Sequence, residues 1–167
     1  MTAALILLWL AAITAANLIS AEFGPEASIY NAFFLIGLTL VIRDRLHDVW
    51  RENRVAKMAA LILTGSLIAY LVTPDAGKIG LASGVAFLAA ESVDGIVYHT
   101  VRFWPWLERS NFSNFFGAAV DSLVFPTIAF GGVMWGITAG QFTAKVAGAL
   151  LFTLVIARWR QTRLATA

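Results

Sequence analysis

Three carboxylates stand inside apolar sequence: Glu91 and Asp94 in one stretch, Asp121 in the next. An ionisable side chain at bilayer depth costs at least ~2.5–3.5 kcal/mol on insertion scales, so it faces a protein interior or a water-filled cavity. There it can accept hydrogen bonds from a donor-rich ligand or pair with a cation. The two aspartates have similar surroundings. Val93-Asp94 precedes Tyr98, and Val120-Asp121 precedes Phe125, each aromatic lying four residues after its aspartate.

Helical spacing extends both groups. Gly84, Phe87, Glu91, Asp94 and Tyr98 follow at intervals of three and four, so on a helix they form one stripe. Asn114, Gly117, Asp121, Phe125 and Ile128 form a second. Lipid would reject both stripes, which are expected to face each other inside a bundle. Pro126 has no N–H and so frees the Ser122 carbonyl. Asp121, Ser122 and that carbonyl then gather several acceptors in one place. A buried aspartate can instead tie down a neighbouring helix, with Asn17 or Asn31 as its partner. Three carboxylates without a base would repel, and Lys145 is the only cation expected at this depth, unless it snorkels to the interface.

The elements that must position these residues are membrane helices. Of 167 residues 59% are hydrophobic and 13% charged, and mean hydropathy is +0.77. A soluble domain carries roughly 25% charged residues. The expected fold is an all-α polytopic integral membrane protein, a single transmembrane domain over 1–167 with six spanning helices. They are expected at Thr2–Ser20, Ile29–Ile42, Val55–Val72, Ile79–Val101, Asn114–Val133 and Gln141–Trp159. The second is short and can extend through the polar turn after it. Breaks are expected at Gly24-Pro25, Arg43–Lys57, Thr73-Pro74-Asp75, Trp104-Pro105-Trp106 and Gly131–Gly140. The first helix is expected to be retained, because no Lys or Arg precedes it as in a signal peptide.

Ten of the twelve basic residues fall on one side of this scheme: Arg43, Arg45, Arg51, Arg54 and Lys57, then Arg102 and Arg109, then Arg158, Arg160 and Arg163. The positive-inside rule places both termini in the cytoplasm, with the chain in the inner (plasma) membrane. Along the helices, Asp94 lies roughly 12 Å and Asp121 roughly 18 Å from the basic residues Arg102 and Arg109, so the two are expected to meet at similar depth. Arg43–Lys57 reads as a solvated turn, and Trp50, Trp104, Trp106 and Trp159 as interfacial anchors. Small residues recur four apart at Ala11/Ala15, Ala12/Ala16, Gly80/Gly84, Gly132/Gly136 and Ala144/Gly148, a spacing that packs helices closely or seats a partner subunit.

Several classes are disfavoured. Cysteine is absent, and His47 and His99 are the only histidines, so neither thiol chemistry nor a zinc-type centre is expected. No cofactor is expected. The small net charge of +2 comes from short loops and does not suggest nucleic-acid binding. No G-x-x-x-x-G-K-[ST], H-E-x-x-H or G-x-S-x-G occurs, and both aspartates lack the Tyr-Asp and Gly-x-Gly-Asp settings of an aspartyl intramembrane protease. The chain is not expected to be an enzyme.

Several segments together resemble the VUT or YhhQ-like family of queuosine precursor transporters. They are Asn17, Asp44-Arg45-Leu46-His47-Asp48-Val49-Trp50, Glu91-x-x-Asp94-x-x-x-Tyr98 and Arg109-x-x-x-Ser113-x-x-x-Gly117-x-x-x-Asp121-Ser122-x-x-Phe125. The chain departs from the family in its shortness, in Arg51 where a glycine is usual, and in Glu91 where some members carry Gln. The resemblance implies import of a 7-deazaguanine base such as preQ0 or preQ1, precursors of a tRNA modification. The expected substrate-binding residues are Asp94, Asp121, Glu91, Ser122, Asn17, Phe87, Tyr98, Phe125 and Asn114. The carboxylates would accept the N–H edge of the base and Phe87, Tyr98 and Phe125 would stack on its ring. The alternative is a substrate-binding subunit of an energy-coupling-factor vitamin transporter, which would need an ATPase module as partner. A third reading is a structural or regulatory membrane protein. Homo-oligomerisation is compatible with all three.

Overall fold

The computed structural model describes residues 2–50, 52–72 and 77–165. Every described element is helical: α1 (Thr2–Asn31), a π turn (Ala32–Ile36), α2 (Gly37–Val49), α3 (Arg54–Val72), α4 (Gly77–Thr100), α5 (Trp106–Ala129) and α6 (Trp135–Ala165). Four stretches are long and apolar enough to cross a membrane: Thr2–Leu46, Gly77–Thr100, Trp106–Ala129 and Trp135–Ile156; Ala56–Val72 is shorter. Arg51 and the expected break at Thr73-Pro74-Asp75 lie outside the described residues, as do the side chains of His47, Asp48, Arg54, Trp159, Arg160 and Arg163.

The first stretch is a hairpin. Its 45 residues would reach about 68 Å as one straight helix, twice the ~30 Å hydrocarbon core. The chain reverses at Gly24, whose φ of 77° and ψ of −162° suit glycine. Pro25 follows, and its missing N–H costs nothing at a helix start. The reversal brings Asn31 back to the first arm, where its amide donates to Ala16 O at 3.1 Å and Ser20 Oγ at 3.0 Å. In a straight helix Ala16 and Asn31 would be about 22 Å apart. The expected Gly24-Pro25 break is therefore present.

The second arm runs further than its apolar sequence. It passes through the π turn, where Gly37 N–H bonds Ala32 O, and continues to Val49. Arg43, Asp44 and Arg45 are helical, which corrects the expectation that a solvated turn begins at Arg43. Arg43 is buried, at 1% exposure. The α2–α3 connection is correspondingly shorter and includes Asn53 with φ 52°.

Packing draws the arms onto the other helices. Trp9, Ile13, Ile42, Leu46, Met58, Ile62 and Phe87 form one buried cluster joining both arms to α3 and α4. Lipid tails are as apolar as leucine, so close van der Waals contact rather than hydrophobic drive holds such helices together. The closest approach is glycine-dependent. A Cβ on Gly148 of α6 would stand 2.3 Å from the Phe33 carbonyl oxygen in the π turn, and one on Gly37 would stand 2.9 Å from Gly148 Cα. The Ala144/Gly148 pair is thus spent inside the bundle, whereas Gly132 and Gly136 have nothing within 4 Å. Helices α4 and α5 form the most extensive helix pair, and a Cβ on Gly117 would lie 3.3 Å from Asp94 Cβ.

Candidate functional site

Two buried polar networks occupy the bundle, and both contain a cation. The first centres on Arg43 from α2. Its Nη2 lies 3.0 Å from Asp44 Oδ1 and 3.1 Å from Asp94 Oδ1, and its Nη1 lies 3.3 Å from Glu91 Oε2. Nη2 also donates to Asn114 Oδ1. Asn114 Nδ2 in turn donates to Asp44 Oδ2 at 3.1 Å, and Ser110 Oγ donates to the same oxygen. The network clamps α2, α4 and α5 together. Its guanidinium presents five donors in a fixed fork, suited to several carboxylates at once. The expected repulsion among unpaired carboxylates is relieved at Glu91 and Asp94 by Arg43, which leaves Lys145 to Asp121.

The second network centres on Lys145 from α6. Its Nζ lies 2.6 Å from Asp121 Oδ2, 3.1 Å from Ser122 Oγ and 3.0 Å from Gln141 Oε1, so each of its three N–H donors has an acceptor. Gln141 Nε2 donates to Ser28 Oγ at 2.7 Å, tying α6 to the second arm of α1. Lys145 is 2% exposed and does not snorkel. Asn17 and Asn31 are not the partners of the aspartates: Asn31 holds the hairpin, and Asn17 Nδ2 is buried with no acceptor among the described residues.

Each network borders a separate space. A small cavity of about 30 Å³ is lined by Asn17, Phe87, Asp121, Phe125, Gln141 and Lys145, together with Ser20, Ser28 and Asn31. It has room for one or two water-sized groups. A larger groove of about 630 Å³ lies between α3 and α4, lined by Asp44, Glu91, Asp94, Tyr98 and His99 beside Ala59, Ile62 and Leu88. The two share no lining residue.

The expected site is therefore divided. Asn17, Phe87, Asp121 and Phe125 meet at the small cavity, and Ser122 supports it through Lys145. Glu91, Asp94 and Tyr98 line the groove, and Asn114 holds Arg43. Asp94 and Asp121 do not face one space, because Asp94 packs at the level of Gly117, one helical turn before Asp121. The α4 stripe does face inward as its spacing implied, with Phe87, Glu91 and Asp94 all buried. It links the two spaces, since Phe87 and Asp94 are about 10 Å apart along the helix. The aromatic residues are partly engaged. Phe87 meets Trp9 edge-on at 5.4 Å, and Arg109 covers the Tyr98 ring at 4.0 Å and donates to its hydroxyl at 2.6 Å.

Arg43 was the hardest of these side chains to recognise from sequence, whereas Lys145 was already the cation expected at this depth. Arg43 sits in a charged run, yet falls in phase with Leu40 and Leu46, both buried. Lys145 falls in phase with Gln141, Ala149 and Thr153, also buried. These phases were the available signal.

Comparison with known families adds one match. Residues 75–158, half of the chain, match the family described as "putative vitamin uptake transporter". No curated protein and no solved structure matches. The matched half contains α4, α5 and most of α6, and with them Glu91, Asp94, Asp121 and Lys145. The chain belongs to the VUT/YhhQ-like family of multi-pass membrane transporters.

Proposed function

We propose that the chain imports a 7-deazaguanine base, a queuosine precursor, across the inner membrane without chemical change to it. The observation that carries this reading is the convergence of Asn17, Asp121, Phe87 and Phe125 on one buried cavity. Asn17 offers an unused donor and Asp121 an acceptor, with aromatic carbon beside them. A guanine-like edge carries a carbonyl acceptor next to N–H donors, which complements that pair. Polar groups buried at membrane depth are costly, and a transported ligand is a reason to keep them.

In this reading the chain crosses the membrane six times, with the hairpin supplying two crossings, α3 one, and both termini cytoplasmic. The base is much larger than the cavity, so the walls part to admit it. Arg43, Glu91 and Asp94 close the cavity on the cytoplasmic side, and opening toward the α3–α4 groove releases the base inward. Asp121 is the principal acceptor. Asp94, first expected to share that role, holds the closure through Arg43.

The test is uptake of labelled 7-deazaguanine by cells whose own uptake is removed. Expression of the chain is expected to restore uptake, and Asp121→Asn to abolish it while the protein stays in the membrane at normal level. Normal uptake by Asp121→Asn would refute the site.

A further inference from the structure

The small cavity contains two ionisable side chains among its described lining residues, Asp121 and Lys145. At 2.6 Å their charges sum to zero, and the sum is the same whichever partner holds the proton between them. The remaining polar lining is neutral: Asn17, Ser20, Ser28, Asn31, Ser83 and Gln141. The carboxylates of Glu91 and Asp94, which could have balanced a charged ligand, line the other space and pair with Arg43.

A buried charge that lacks a counter-charge is expensive, whereas a neutral polar group needs only hydrogen bonds. Two groups in the lining remain available for such bonds. Asn17 Nδ2 is buried without an acceptor among the described residues. Asp121 gives Oδ2 to Lys145, and its side chain keeps 17% exposure.

We infer that this cavity selects uncharged heterocycles over their ammonium-bearing analogues, and that Lys145 is the residue that sets the selection by neutralising Asp121. The inference rests on the proposed function and names the charge class of its substrate. Asn17 donates to the ring carbonyl, and Asp121 accepts an N–H of the same edge. An ammonium substituent would bring a full positive charge into a balanced site. Its only counter-charge would be the Asp121 carboxylate, which would then be shared between two cations and hold less firmly a lysine whose other partners are Ser122 and Gln141.

The experiment is calorimetric binding to the detergent-purified full chain, using 7-cyano-7-deazaguanine as the uncharged probe and 7-aminomethyl-7-deazaguanine as the cationic one. The wild-type protein is expected to bind the cyano base at least about tenfold more tightly. Lys145→Gln leaves Asp121 unbalanced and is expected to reduce or invert that ratio by at least about tenfold. Combining Lys145→Gln with Asp121→Asn makes the site neutral again and is expected to restore the preference, at weaker affinity for both. Equal binding of the two bases by the wild-type protein, or an unchanged ratio in Lys145→Gln, overturns the charge selection and leaves the 7-deazaguanine reading standing. Binding of neither base by the folded wild-type protein overturns both.

Discussion

Arg43 and Asp94 meet across the α2–α4 contact at 3.1 Å, both nearly excluded from solvent. Neither belongs in an apolar interior alone, and each makes the other tolerable. Removing one partner of a buried pair leaves an uncompensated charge, which typically costs 3–5 kcal/mol.

The first prediction concerns that pair. Arg43→Gln is expected to destabilise the protein by about 3–5 kcal/mol, because Asp44, Glu91 and Asp94 then face one another. Adding Asp94→Asn removes one of those charges and is expected to recover part of the loss. Thermal unfolding in detergent reads both. A double variant no more stable than Arg43→Gln would show that Asp94 and Arg43 are not energetically coupled.

Asn17 separates function from folding. Its amide N–H group is buried and makes no bond among the described residues, so replacing it removes no internal hydrogen bond. Asn17→Leu is expected to leave the melting temperature unchanged or raised, since an unsatisfied buried donor costs about 1–3 kcal/mol. Uptake is expected to fall about tenfold or more, as for loss of one substrate hydrogen bond. Wild-type uptake by Asn17→Leu would remove this residue from the site.

Glycine positions give a contrast that needs no substrate. Gly148→Ala places a methyl group 2.3 Å from the Phe33 carbonyl oxygen, which is backbone and cannot swing away. A loss of about 1–3 kcal/mol is expected as α6 is pushed off the π turn. Gly136→Ala, with nothing within 4 Å, is expected to be neutral. Melting curves of the two variants side by side check this.

The absence of cysteine makes topology directly measurable. Trp104 and Val133 are exposed at opposite ends of α5, at 46% and 47%. Trp104→Cys is expected to resist a membrane-impermeant maleimide added to intact cells. Val133→Cys is expected to react. The reverse pattern would invert the orientation proposed from the basic loops.

Much of the fold was legible because membrane helices announce their ends. Gly24-Pro25 and Trp104-Pro105 interrupt the helices where a glycine conformation or a missing N–H requires it. The inward face of α4 was legible from the spacing of Phe87, Glu91 and Asp94, since lipid gives each a clear sign. Arg43 was not. A charged run marks a loop by composition, and only its phase with Leu40 and Leu46 argues otherwise. The division of Asp94 from Asp121 was also hidden, because depth along each helix says nothing about which side helices fill the space between. Arg43 comes from α2 and Lys145 from α6, both distant in sequence from the carboxylates they hold.

The π turn has a consequence for how the two halves of its helix are geared. At 100° per residue, Asn31 and Arg43 would point about 120° apart on an unbroken α-helix. The i→i+5 bond from Gly37 to Ala32 takes up one surplus residue and brings them within about 20°. One face can therefore serve both the hairpin and the carboxylates of α4. Losing one residue between 32 and 36 would restore a plain α-helix and keep Arg43 in its socket, whereas straightening the turn at full length would swing Arg43 about 100° away.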